Sequence, residues 1–309
     1  MPNKILAIMI GGTIAQKGDA SGRMAISVSL NELLSSVRTE SEIEQVELDR
    51  RSGADLDFPI LASIAGRIRK SVDEFDGFMV IAGTDSMEEL AFYLDQTIET
   101  EKPIVVTGSL KPADVSSYDG FANLEDAIRV LQTPASSGKG VLVVMNENIH
   151  AARYVRKQDS QLLGSFVSHP GPIGQIRRGI ARYYFDAMPK MHRYGNIDLD
   201  RINARVPLIT MCIGLTIPDA LLENVDGLVV AGMGTGSISK EMVEHLSPSW
   251  TSRIPIVLSS RCPIGENFDD STYRGSLSKY EDRGFVIRGY EGLNPLQARL
   301  KLLFEIASR

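Results

Sequence analysis

The tightest constraint on the fold is an arrangement that occurs twice between residues 78 and 131: an apolar run, a glycine, a polar turn and a helix opening. Phe78-Met79-Val80-Ile81 shows no polar alternation, the mark of a strand buried on both faces, and Gly83 breaks it. Ser86 with Glu89 three positions on has the spacing of a helix-opening capping box, which leaves Thr84 and Asp85 in the turn. Pro103-Ile104-Val105-Val106-Thr107 repeats the construction, followed by Gly108-Ser109-Leu110-Lys111-Pro112 and a helix over residues 121–131. A hydroxyl and a carboxylate at the carboxyl end of a buried strand, beside helix amides that favour negative charge, stand where open α/β sheets place their chemistry.

The alternation extends along the chain. Residues 5–10 predict a first strand, and Gly11-Gly12-Thr13 follows it directly. Ser29 and Glu32 form another capping box, opening a helix to about Val37, and residues 46–48 read as a short strand. Pro59 suits the first turn of a helix with Leu61, Ile64, Ala65 and Ile68 on one face, and residues 141–145 complete the central strands. Buried strands alternating with helices predict an α/β fold with a doubly wound, mostly parallel sheet. From residue 183 the pattern dissolves into mixed charge and turn residues. The expected organisation is an N-terminal catalytic domain over 1–185, a linker over 186–205 and a smaller C-terminal α/β domain over 206–309. The last contains apolar runs at 207–213, 227–231 and 254–258 and a final helix over 295–307.

Composition narrows the partners. The 309 residues are 43% hydrophobic and 23% charged, enough for two ordinary domains. A net charge of -6 argues against nucleic acid or an anionic membrane as partner, since both require a basic face. Cys212 and Cys262 read as two free thiols in a reducing compartment. The apolar start is too short to span a membrane and leads into Gly11-Gly12 without a small-residue cleavage site, so a cytoplasmic protein is expected. His150, His169, His192 and His245 are scattered without a metal spacing and read as structural or exposed.

Gly11-Gly12-Thr13-Ile14 lets the backbone turn sharply and presents a hydroxyl, but alone a glycine turn with a local cap explains it. In combination with residues 83–89, 107–112 and 119–124 it resembles the bacterial-type L-asparaginase family, whose two threonine signatures match in order and spacing. The likeness continues through Gly140-Val141-Leu142-Val143-Val144-Met145-Asn146, Ser259-Ser260-Arg261 and Leu293-Asn294-Pro295.

The resemblance implies hydrolysis of a side-chain amide to carboxylate and ammonia, without metal or organic cofactor. It implies a homotetramer of paired dimers, with sites between subunits. Thr13 corresponds to the first threonine, held to be the nucleophile in one account; Thr84, Asp85 and Lys157 correspond to the second threonine and its charge partners. A threonine hydroxyl needs a neighbour to take its proton, and a lysine of tuned pKa beside Asp85 can do so. Gly12, Gly83 and Ser109 join Asp85 as expected substrate contacts, Asp85 holding the α-amino group. Ser237 and Tyr273 are expected from the neighbouring subunit.

The departures fall where substrate is read. No tyrosine lies between Ala15 and Glu32, Met24 being nearest by count to the family's loop tyrosine. The α-carboxylate site falls within Arg51-Ser52-Gly53-Ala54-Asp55-Leu56, where one register places Gly53 and Ala54 in the binding positions and the other restores Ser52. Arg50 and Arg51 stand beside it, either as carboxylate ligands or as surface charges. Free asparagine, an N-substituted amide and one lacking an α-substituent all remain open as substrates. A non-catalytic binding homologue has no need of Lys157. Gly232-Met233-Gly234-Thr235-Gly236-Ser237 is a poor dinucleotide turn, with serine at the third glycine position. An amidotransferase subunit would carry an added N-terminal domain.

Overall fold

Eight strands of the first unit form one sheet because its central strands offer apolar residues to both faces. The computed structural model describes residues 3–185, 193–195, 197 and 202–309. The chain divides into two compact units, Met1–Gly195 and Asn196–Arg309. The linker expected over 186–205 lies largely outside the described residues, as does His192.

Strand β1 (Lys4–Gly11) leads into a hairpin of β2 (Gln16–Gly18) and β3 (Met24–Ile26). Helix α1 (Leu30–Ser35) opens with the expected Ser29–Glu32 capping box. Strand β4 (Glu42–Arg51) runs ten residues, where the sequence predicts only 46–48. It forms the sheet edge beside β1, and an edge strand carries charge that keeps other chains from pairing with it. Helix α2 (Phe58–Ser71) starts on an Asp57 cap and buries Leu61, Ile64, Ala65 and Ile68, as its spacing predicts. Then come β5 (Gly77–Ile81), α3 (Met87–Thr97), β6 (Ile104–Thr107), α4 (Gly120–Gln132) and β7 (Val141–Met145).

Strands β4, β1, β5, β6 and β7 are mutually parallel in that spatial order. Ile5, Ala7 and Met9 of β1 pack with Met79, Val105, Leu142 and the apolar faces of α1 and α4. Leu6, Ile8 and Ile10 point the other way and are equally buried, as alternation in a two-faced sheet requires.

The antiparallel end of the sheet was not legible in the sequence. Asn146 and Glu147 take positive φ and fold β7 back into β8 (Asn148–Ala151). Strands β9 (Val155–Lys157) and β10 (Phe166–Ser168) form a separate antiparallel pair, and β11 (Gly174–Arg177) and β12 (Ile180–Tyr183) close the sheet. His150 of β8 is buried, with Nδ1 2.8 Å from Ser168 Oγ, and burial pushes its pKa down to about 4.

In the second unit β13 (Leu208–Thr210), β14 (Leu228–Gly232) and β15 (Ile256–Ser260) are parallel. Helix Lys240–Leu246 packs on one face of the sheet through Met242, Val243 and Leu246. The final helix, Pro295–Ala307, begins on an Asn294–Gln297 capping box and lies against all three strands. The run expected as a strand to residue 213 stops at Thr210, because the chain turns out and leaves Cys212 and Ile213 exposed before Gly214 at positive φ. Both cysteines are free thiols. Among the described residues no helix is long and apolar enough to cross a membrane.

Candidate active site

Because β4, β1 and β5 are adjacent and parallel, the turns at their carboxyl ends meet on one sheet edge. Contact between those turns is closer than any side chain permits. A Cβ on Gly12 would lie 2.4 Å from Gly83 Cα, and one on Gly83 would lie 2.6 Å from Gly53 N. The three glycines therefore stack main chain on main chain, and Thr13, Ser52 and the Thr84-Asp85 pair issue from one point. The Gly12 N–H donates to Arg51 O at 3.0 Å, so it is committed to shaping the turn.

Ser86 departs from its expected role. It precedes α3 but makes no side-chain cap; its hydroxyl instead donates to Gly53 O at 2.6 Å. A carbonyl from another strand's turn lies within reach and is the better partner, so the hydroxyl ties the β5 turn to the β4 turn.

A fourth turn follows β6. Gly108 packs against Ala82 O, which a Cβ would approach to 2.4 Å. The Asp119 carboxylate, just before α4, accepts the Leu110 and Lys111 N–H groups, and Asn123 Nδ2 donates to Gly108 O at 2.9 Å. Ser109 is buried and its hydroxyl donates to Lys111 O at 2.6 Å.

Lys157 ends β9 and reaches the β5 turn. Its Nζ donates to Thr84 Oγ1 at 2.9 Å and to Asp85 Oδ1 at 2.8 Å. Thr84 is buried and the lysine side chain is 14% exposed, whereas the Asp85 side chain is 60% exposed. The arrangement runs from a shielded hydroxyl, through an amine, to a carboxylate open to a ligand. Thr13 is half-buried on a single 3-10 turn, Thr13–Ala15, directly after the Gly12 crossing.

The arginines beside the questionable carboxylate site are taken up by other acids. Arg50 pairs with Glu47, and Arg51 pairs with Asp49 and, at 3.2 Å, with Asp57. Ser52 Oγ accepts the Ala54 N–H at 3.4 Å, at the start of the 3-10 turn Gly53–Asp55. Met24 is exposed on the hairpin after Thr13. Ser237 and Tyr273 belong to the second unit; both are exposed, Tyr273 by 62%. Among the described residues no three His, Cys, Asp or Glu are grouped to hold a metal ion.

Two neighbours of the site carry no recognisable sequence signal. Tyr118 donates its hydroxyl to Ile14 O at 2.9 Å. Glu88, in the first turn of α3, has its pKa pushed up to about 7 by burial and by the Glu89 carboxylate, against the opposing pull of Arg156 and of the Lys157 N–H and charge. Unfolded, that carboxyl ionises near 4.5, so between pH 4.5 and 7 the folded state holds the extra proton. Stability contributed by Glu88 is thus present at pH 4.5 and lost as pH rises through 7, by up to about 3 kcal/mol. Urea unfolding is expected to show Glu88→Gln gaining on the wild type at pH 8 while matching it at pH 5. Equal differences at the two pH values would contradict this.

Comparison with known proteins agrees with this architecture. The family description "Asparaginase, N-terminal" matches residues 4–188, and "Glutaminase/Asparaginase C-terminal domain" matches residues 205–308. L-asparaginase 2 of Escherichia coli (strain K12) is 31% identical over 98% of this chain and 88% of its own length. A probable periplasmic L-asparaginase of Haemophilus influenzae is 30% identical over the same shares. The crystal structure of a probable cytoplasmic L-asparaginase from Campylobacter jejuni superposes with a TM-score of 0.85 at 27% identity, covering 98% of this chain and 94% of that one. Two α/β units, a mostly parallel sheet in the larger one and family matches to both define an amide hydrolase of this architecture. The chain belongs to the asparaginase family and is an asparaginase-like amidohydrolase.

Proposed function

We propose that the protein hydrolyses the side-chain amide of L-asparagine, or of a closely related small amide, through Thr13, Thr84, Asp85 and Lys157. The observation that carries this reading is the Lys157 amine held 2.9 Å from Thr84 Oγ1 and 2.8 Å from Asp85 Oδ1. Thr13 Oγ attacks the amide carbon, and its proton leaves along the path formed by the Thr84 hydroxyl and the Lys157 amine. The tetrahedral intermediate collapses as the lysine returns a proton to the leaving nitrogen, releasing ammonia, and water then hydrolyses the Thr13 ester. Asp85, the exposed carboxylate, is suited to hold a substrate ammonium.

One observation favours a modified substrate. Arg50 and Arg51 are paired with acids, and Ser52 Oγ faces the Ala54 N–H. That leaves the Ser52 O–H as the side-chain donor here for an α-carboxylate, a weaker ligand than a free guanidinium, which suits an amide with that group altered or absent. The names of the relatives favour L-asparagine itself. The exposure of Ile213, Tyr273 and Ser237 is compatible with burial between copies in a homotetramer, where Ser237 and Tyr273 would complete a neighbouring site. A cytoplasmic location is supported by the description of the Campylobacter structure and by two exposed free thiols, although the Haemophilus relative is described as periplasmic.

Ammonia release from L-asparagine, D-asparagine, L-glutamine, succinamic acid and N-substituted asparagines tests the reading, with Thr84→Ala as control. Turnover of at least one amide, abolished in the control, is expected. Silence across the panel from a folded protein would overturn it. Mass spectrometry of quenched turnover is expected to find an ester on Thr13, and its absence would move the attack to water.

A further inference from the structure

Segment 113–118 is fastened by three hydrogen bonds to the turn that carries Thr13 and to strand β2, which follows it directly. Ala113 N–H donates to Gln16 O at 2.8 Å, and Gly18 N–H donates to Asp114 Oδ2 at 2.7 Å. The third bond, from the Tyr118 hydroxyl to Ile14 O at 2.9 Å, reaches the carbonyl immediately after Thr13. That carbonyl belongs to the short 3-10 turn Thr13–Ala15, and Ile14 is fully buried. A buried carbonyl without a partner is costly, so the phenol fixes the turn's orientation as well as its energy.

The far end of the segment is equally secured. Next to Tyr118, the Asp119 carboxylate binds the Leu110 and Lys111 N–H groups, and Asn123 Nδ2 donates to it at 2.9 Å. The Tyr118 ring meets Phe121 edge-on at 5.0 Å. Gly120 is required for this placement, since a Cβ there would lie 2.1 Å from the phenol oxygen. Burial and the Asp119 charge raise the phenol's pKa, so it remains a donor across the working range.

We propose that segment 113–118 is a fixed clamp on the Thr13 turn and that Tyr118 is a positioning residue for amide hydrolysis, acting through the Ile14 carbonyl. For its catalytic part this rests on the amide-hydrolase reading above. Tyr118→Phe keeps the ring and removes only the donor. Gly120→Ala displaces the phenol without altering either partner of the bond.

The test combines amide hydrogen exchange by mass spectrometry with steady-state kinetics. In both variants exchange in a peptide spanning residues 10–18 is expected to rise about tenfold or more, with a peptide over β7 and β8 unchanged. On whichever amide the wild type turns over, kcat is expected to fall about 5- to 50-fold with KM within about threefold. A residue that only supported the fold would change exchange in both peptides. Unchanged exchange in the 10–18 peptide, or altered exchange with kcat intact, would overturn the proposal. A silent wild type with faster 10–18 exchange in both variants would sink the amide-hydrolase reading and leave the clamp standing.

Discussion

Lys157→Met is expected to lower kcat about 10³-fold on any amide the wild type hydrolyses, and Thr84→Val to do the same. The amine sits 2.9 Å from Thr84 Oγ1, so removing either partner removes the same proton path. Groups acting as one unit are not additive, and the double variant is expected to lose little more than either single one. Stability moves far less, because the Lys157–Asp85 pair has a 60% exposed carboxylate and such pairs contribute about 0–1 kcal/mol. The check is kcat and KM for wild type, both single variants and the double variant, with melting temperature alongside. A double variant showing the product of the two single losses would mean that Lys157 and Thr84 act independently. Lys157→Met retaining a tenth of wild-type kcat would remove the lysine from the mechanism.

Gly12→Ala is expected to cost about 4 kcal/mol of stability and to lower kcat at least about 10²-fold in the protein that still folds. Two effects add at this position. Gly12 has φ 93° and ψ -179°, a conformation essentially closed to residues with a Cβ. The added Cβ would also stand 2.4 Å from Gly83 Cα and Gly83 N, which are backbone atoms and cannot swing aside. Relief requires the β1 and β5 turns to separate, and that separation moves Thr13 away from Thr84. Gly22, also at positive φ but with open space around it, serves as the control for a positive φ without a steric crossing. Urea unfolding of Gly12→Ala and Gly22→Ala is expected to show about 1 kcal/mol for the latter. Equal costs at the two positions would refute the steric crossing.

The central strands were legible because nothing else explains runs as apolar as residues 78–81 or 141–145. A strand buried on both faces has no room for alternation, and a helix of that length would be too short. Edge and antiparallel strands lacked that signal. β4 carries charges along its length because one edge faces solvent, so only its apolar centre stood out. Strands β8 to β12 have three or four residues each, too few for a period to register.

The site divides in the same way. Thr13, Thr84 and Asp85 could be placed at strand ends from local order alone, since a glycine after an apolar run determines where the chain turns. Lys157 could not, being one of three cations within five residues, and only the family resemblance singled it out. Ser86 had the spacing of a cap, yet its hydroxyl binds Gly53 O, 33 residues away in the chain. Tyr118 reaches Ile14 across 104 residues, and Lys157 reaches Thr84 across 73. Local sequence determined the elements and the turns between them, because burial period and backbone sterics act over a few residues. Which turns touch was decided only when parallel strand order brought the carboxyl ends of β4, β1, β5 and β6 together, and which hydroxyl meets which amine only when the separate β9–β10 pair set Lys157 beside the β5 turn.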